Sequence, residues 1–207
     1  GRRGAELGVD GGVLEGQPER LARIAAVVGI ERAILLQLDR GERGFSWRTD
    51  APLDMRMDTR AGESAAELLA HVDVGTLTRI LRQLGEEPEA SRIAAAIVRA
   101  RPTTTFGLAE VVAHAMSAPA RRKLGLRIHP ATRTFQALRI HVNDELGVLD
   151  RLLEEAPALV ARGGRVAIIS FHSLEDRRVK QRFAALASPP HVPAHVPMRA
   201  GELPVAD

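Results

Sequence analysis

The chain has no cysteine and no tyrosine. Without thiols there can be no disulfide, thiolate zinc site, iron–sulfur ligation or thiol nucleophile. Aromatic residues make up only 3% of the chain, five Phe and one Trp. That is too few for the rows of rings on which single-strand binders stack successive bases. No run of 18 or more apolar residues occurs, so the pattern offers no spanning helix. Gly1-Arg2-Arg3-Gly4 does not open an apolar signal segment. The expectation is a soluble, cytoplasmic protein with no membrane partner. Walker loops, zinc-protease signatures and nucleophile elbows are absent as well. His191 and His195 are four apart, but Pro193 between them spoils a helical metal pair. No metal is expected.

What is present fits a globular protein. The 207 residues allow one large domain or two small ones, with 45% hydrophobic and 27% charged residues. There are 29 Lys+Arg against 26 Asp+Glu, a net charge of +3, and Lys123 and Lys180 are the two lysines among many Arg. A basic balance of this kind is the footprint of a nucleic-acid binder. A GC-rich coding sequence produces the same Arg bias, and the composition leaves both readings open.

Along the chain, Ala5 to Val9 and Ala33-Ile34-Leu35-Leu36 read as short strands, the second apolar on both faces, with a helix following Pro18. The middle is helical. Apolar positions recur at helical spacing through Leu68 and Leu69, then Leu77, Ile80 and Leu81 with Gly85 as a stop. Ile93 and Ile97, and then Leu108, Val111 and Val112, continue the pattern. A basic stretch follows at Arg121, Arg122, Lys123 and Arg127. Phe135 to Leu153 marks one long helix or two abutting ones, with Gly147 as the expected joint. Arg165 to Phe171 (RVAIISF) is the strongest strand pattern. It is followed by a helix that Ser173-x-x-Asp176 would cap, with Val179, Phe183 and Leu186 on its buried face. The proline-rich tail begins at Ser188. Helix, Gly-Gly, apolar strand and capped helix together indicate an α/β, doubly wound core, with a helical lobe inserted in it. The expected division is 1–39 as the first part of the core, 40–130 as the helical insertion, 131–187 as the returning core and 188–207 as the tail. Ligands of such folds sit at the C-terminal ends of the strands, which places the exit of Leu36 and Phe171-His172-Ser173 at the site.

Three segments carry chemistry. At His172 a strand pattern gives way to a helix, which suits proton handling or polar recognition beside helix N-terminal amides. The alternative is an ordinary loop hydrogen bond with a structural cap. Gly44 to Asp58 combines Phe45, Trp47, Arg48, Asp54, Arg56 and two Met with little periodicity. It reads either as a binding loop or as a packed crossover with mutually satisfied Arg–Asp pairs. His129 to Phe135 reads as a helix entry, with Thr132 or Thr134 as the cap.

Three stretches, RGERGFSWRTDAPLDMRMD (Arg40 to Asp58), HPATRTFQALRIHVNDELG (His129 to Gly147) and GGRVAIISFHSLEDRRVK (Gly163 to Lys180), closely resemble the bacterial 16S ribosomal RNA (cytosine-N4)-methyltransferase family. SRIAAAIVRAR, the TTT stretch and the VPxxxPM pattern of the tail match it in the same order. The resemblance implies a Rossmann-like methyltransferase core with an inserted helical domain and S-adenosylmethionine as cofactor. It also implies transfer of a methyl group to the exocyclic N4 amine of a cytosine near the decoding centre. The partner implied is 16S rRNA or the small ribosomal subunit, for a protein that is a monomer or homodimer. On this resemblance Asp10 and Gln37 match cofactor-contacting positions. Asp54, His172 and Ser173 are the catalytic candidates, and Phe45 or Trp47 would stack on an extruded base. Arg48, Arg56, Arg121, Arg122, Lys123 and Arg177 would hold phosphates.

The N-terminal end departs from the family. It has no counterpart of the D-A-T-x-G-x-G-G-H loop, and Leu36 runs directly into Gln37 where the family carries D-L-G-V-S-S-P. Either this is a deleted, catalytically inactive relative that still binds RNA or the ribosome, or the chain omits stretches that the natural protein carries. The gaps fall at glycine-rich, ligand-proximal loops, and that distribution favours the second reading. A purely structural helical protein is the third possibility, and it would show no salt-dependent RNA affinity.

Overall fold

The computed structural model describes residues 41–125, 128–161 and 164–187. The chain divides into two units, residues 1–39 and 40–207, and every described residue lies in the second. The two N-terminal strand patterns, the helix after Pro18, Asp10, Gln37, Arg127 and the proline-rich tail lie outside the described residues.

Among the described residues the chain forms a 3-10 turn at Gly41–Arg43 and then eight α-helices. Helix α1 (Ala65–His71) begins with a reciprocal cap: the Ser64 hydroxyl accepts from Glu67 N–H, and the Glu67 carboxylate accepts from Ser64 N–H at 2.8 Å. Asp73 caps α2 (Val74–Leu84) through Thr76 N–H, Thr104 caps α4 (Thr105–Ala115) through Gly107 N–H, and Ser117 caps α5 (Ala118–Leu124) through Ala120 N–H. Between them, α3 (Ala90–Ala100) buries Ile93, Ala94 and Ile97 on one face. Its C-cap, Arg101, adopts a left-handed backbone, and the guanidinium donates to the Leu69 and Val72 carbonyls that α1 leaves unpaired.

Helix α2 is central, packed against α3 on one side and α6 (Thr132–Val142) on another, while α3 packs on α4. Gly85, which ends α2 as its spacing predicts, also permits the approach of α6. A Cβ there would lie 2.7 Å from the Arg133 carbonyl oxygen and 3.2 Å from the Ala137 methyl. Helix α7 (Glu145–Leu159) contacts α6 and α8 (Ser173–Ala187), around a buried cluster of Ile140, Leu146 and Leu174 with Leu84 against it.

Several expectations need correction, among them Leu186, placed on the buried face of α8 but 45% exposed. The joint between α6 and α7 is at Asn143-Asp144, where Asp144 takes a left-handed backbone; Gly147 lies inside α7. Neither Thr132 nor Thr134 caps α6. Its N-cap is Ala131 without a side-chain bond, and Thr134 is fully buried. The Arg165–Phe171 run forms no strand, because a ladder needs a second strand at hydrogen-bonding distance. Among the described residues the one bridge joins Pro52 to Thr104. The period of two survives in burial: Val166, Ile168 and Ser170 are half-buried, whereas Ala167, Ile169 and Phe171 are exposed, the last two at 69% and 72%. The described residues are therefore mainly helical and show no sheet. Their helices include none long and apolar enough to cross a membrane.

Candidate functional site

The segment from Gly41 to Asp58 is irregular yet tightly held. Leu53 and Met55 are fully buried, and Thr105, also fully buried, receives Ala51 N–H on its hydroxyl while donating that hydroxyl to the Thr49 carbonyl. Met55 N–H donates to the Arg43 carbonyl at 2.9 Å, and the Arg43 guanidinium returns to the Arg56 and Met57 carbonyls. From the α6–α7 joint, the Asn143 carboxamide accepts from Met57 N–H and donates to the Met55 carbonyl, both at 2.7 Å. Asp54 and Arg56 form a two-toothed pair at 2.7 and 3.2 Å. The Arg56 hydrogen bonds hold the Asp54 carboxyl below its ordinary range, so it stays ionised. Of the two sequence readings of this segment, the packed crossover describes residues 51–57, while Phe45 and Trp47 line a pocket.

His172 stands at the start of α8. The cap expected from Ser173 and Asp176 does not form. Instead the His172 ring accepts from Glu175 N–H on Nδ1 at 3.4 Å, and the Glu175 carboxylate accepts from Phe171 N–H and His172 N–H. The arrangement is a capping box displaced by one residue. Ser173 and Asp176 are drawn elsewhere, Ser173 to Glu86 at 2.7 Å and Asp176 to Lys180 at 2.8 Å. Burial pushes the His172 pKa down, and the Glu175 charge only partly opposes it. The ring is therefore neutral, with Nδ1 as acceptor and the proton on Nε2. That Nε2 is buried without a hydrogen-bond partner, and Glu175 at 3.3 Å is a neighbour without an ion pair to a neutral ring.

The pocket beside it holds about 280 Å³ and is lined by Phe45, Trp47, Gln136, Arg139, Phe171 and His172, among others. Arg139 is fixed by two bonds to Glu145 at 2.8 and 3.1 Å, and burial raises the Glu145 pKa despite that partner. Gln136 donates its amide to the Leu84 carbonyl, which leaves its own carbonyl as an acceptor. Trp47 stacks on His129 with ring centroids 4.1 Å apart, and the Arg48 guanidinium lies 5.4 Å from the indole. Glu145, His172 and Glu175 bring possible ligand atoms within 4.8 Å of one another. The Glu145 oxygens belong to Arg139, and one Glu175 oxygen caps α8, so the cluster acts as a positioning network and we assign it no metal.

The structure thus brings Phe45, Trp47 and His172 together. Asp54 and Arg56 pair with each other, and Ser173 and Arg177 share Glu86 at 2.7 and 3.1 Å. Arg121, Arg122 and Lys123 are exposed on the last turn of α5, apart from this pocket. Arg139, Gln136 and Asn143 escaped the sequence reading, although HPATRTFQALRIHVNDELG contains all three. A polar residue on a helix leaves no periodic signal, and the i, i+3 spacing of Gln136 and Arg139 was the available clue.

The sequence profile described as the MraW methylase family matches residues 24–205. The chain belongs to the MraW methylase family. Among curated relatives, the protein named ribosomal RNA small subunit methyltransferase H from Halorhodospira halophila is 54% identical over 167 residues, covering 78% of this chain and 50% of the relative. Proteins of the same name from Symbiobacterium thermophilum and Frankia casuarinae are each 52% identical, covering 83% and 80% of this chain and 54% and 53% of themselves. The chain spans about half the length of these relatives. Membership implies a Rossmann-like fold, and the described residues show no sheet of it.

Proposed function

We propose that this chain is an S-adenosylmethionine-dependent methyltransferase acting on the N4 amine of a cytosine in 16S rRNA, with its base-recognising pocket among the described residues. The observation that carries this reading is the pocket lined by Phe45, Trp47, Gln136, Arg139 and His172 in a member of a methylase family. At about 280 Å³ it lies at the small end of ligand sites, suited to one base and too small for S-adenosylmethionine as well. The cofactor supplies an electrophilic methyl group when bound, and its proposed contacts, Asp10 and Gln37, lie outside the described residues.

The pocket polarity complements a cytosine edge. The Gln136 carbonyl can accept from the exocyclic amine. The amine is a weak nucleophile, so alignment and exclusion of water are what the site must supply. On this reading His172 forms part of the pocket wall against which the base is aligned; its Nδ1 is engaged as a helix cap and is not free to take a proton. Asp54 and Ser173 are assigned supporting roles, through Arg56 and Glu86. The division into a core at 1–39 and 131–187 with a helical insertion at 40–130 belongs to the same proposal.

Calorimetric titration of the chain with S-adenosylmethionine tests the enzyme reading. Heat of binding and methyl transfer to small-subunit RNA are expected. No heat and no protection from unfolding would sink it, leaving the inactive RNA-binding remnant. His172→Asn, which keeps a cap but shortens the pocket wall, is expected to lower kcat/KM roughly five- to tenfold through poorer alignment of the base; unchanged turnover would remove His172 from the site.

A further inference from the structure

The pair of helices α3 and α4 carries a groove that the base pocket does not use. Arg92, Ala96 and Arg99 of α3 face Glu110 and His114 of α4 across an open trough of about 550 Å³, floored largely by alanines. The small floor side chains let a ligand approach the helix backbones closely. Arg92 and Arg99 are seven residues apart on one helix face, about 10 Å along its axis. A single small anion cannot bridge that distance, but a strand with a charge on every nucleotide can engage both. Both side chains belong to exposed residues, and neither makes a hydrogen bond or ion pair among the described residues. Arg92 only lends its field to Glu89, which is bonded to Ser117. Arg56, Arg139, Arg177 and Arg178, by contrast, are each matched to a carboxylate.

The charge distribution along the chain points to the same place. Residues 90–125 contain six basic residues and one acidic residue, Glu110, whereas the whole chain is only +3. The surplus of positive charge is concentrated on this stretch, and the residues outside 90–125 are net acidic. Arg121 donates to the Ala113 carbonyl, bringing the basic turn of α5 to the end of α4.

We propose that the α3–α4 groove binds the phosphodiester backbone of RNA, with Arg92 and Arg99 neutralising phosphates and the α5 turn extending the track. The inference rests on RNA being the substrate. It adds a second contact surface on the helical lobe, where phosphate contacts set register and orientation while the pocket reads the base.

Filter binding of the full chain to a labelled RNA hairpin, across a series of KCl concentrations, tests it. The unsubstituted chain is expected to show a salt-dependent affinity. The double variant Arg92→Gln/Arg99→Gln should bind at least tenfold more weakly, with a log–log salt slope reduced by about 2, one for each phosphate contact. Arg92→Lys/Arg99→Lys should keep the slope, and Glu110→Gln should tighten binding by removing the one carboxylate in the groove. Arg151→Gln, on α7, should change nothing. These side chains are exposed, so thermal unfolding should be unaltered and a lost slope reports binding. An unchanged slope in the Gln double variant overturns the groove while the RNA reading stands. Absence of salt-dependent RNA binding in the unsubstituted chain overturns both. Loss of poly-glutamate binding with RNA binding retained would assign the groove to an acidic protein partner and overturn the proposal.

Discussion

Asn143 fastens the crossover to the helices with one carboxamide. Its oxygen takes Met57 N–H, and its nitrogen gives to the Met55 and Arg139 carbonyls. Replacing it with leucine leaves two half-buried backbone groups without partners. At about 1–3 kcal/mol for each unsatisfied group, the expected loss is about 2–6 kcal/mol. Urea unfolding measures this, with Arg60→Ala as a control that should leave the midpoint in place, because the Arg60–Asp58 pair is exposed. The sequence singled out the charged residues near this contact and passed over Asn143. Its partners are 86 and 88 residues away in the chain, and no local pattern encodes such a meeting. Asp54 shows the complementary case. A carboxylate in a loop reads as reactive, while Arg56 two residues on keeps it ionised and occupied.

At the scale of elements, the helices from Ala65 to Ala115 are legible from their apolar spacing and the Gly85 stop, and the caps that form at Ser64, Asp73 and Thr104 agree with both. The later ends were read less well. A cap is decided by competition between acceptors, and Glu86 draws Ser173 away so that His172 and Glu175 close the start of α8. Gly85 carries information that its role as a stop did not reveal. An added methyl would press on the Leu81 and Arg133 carbonyls, at 2.8 and 2.7 Å, and both are backbone atoms that cannot swing aside. Gly85→Ala is accordingly expected to destabilise by about 1–3 kcal/mol by forcing α6 outward. A drop in thermal midpoint is the measurement, and an unchanged midpoint would show that α6 yields freely.

For the whole molecule, the α/β class rested on strands that need distant partners. The described residues bear out the helical middle, and their RVAIISF run keeps only the alternation of a strand. Patterning within one segment is visible in sequence, but pairing between segments is not. Stability should also carry a signature of burial. His129, His141 and His172 all have pKa values lowered by desolvation. In the unfolded chain a histidine protonates near 6.5, so below that pH the unfolded state binds more protons than the fold does. Stability is therefore full above about pH 6.5 and falls as the pH drops toward the folded-state values. Glu145 works the other way, since burial raises its pKa and its protonation favours the fold, offsetting part of the loss at the acid end. Chemical unfolding at about pH 7.5 and about pH 5.5, either side of the free histidine value, should show the lower midpoint in acid. His172→Asn should flatten the difference, and a midpoint equal at both values would count against buried neutral histidines.

The stack of Trp47 on His129 has a spectroscopic consequence. The chain contains one tryptophan and no tyrosine, so its long-wavelength ultraviolet emission arises from a single indole. That indole lines the pocket beside His172 and rests on an imidazole 4.1 Å away. A base stacking on Trp47 must displace His129 or share the ring with it and the Arg48 guanidinium, and either event changes the surroundings of the one emitter. The scarcity of aromatic residues leaves the protein with a built-in optical probe at the site where its substrate is proposed to enter.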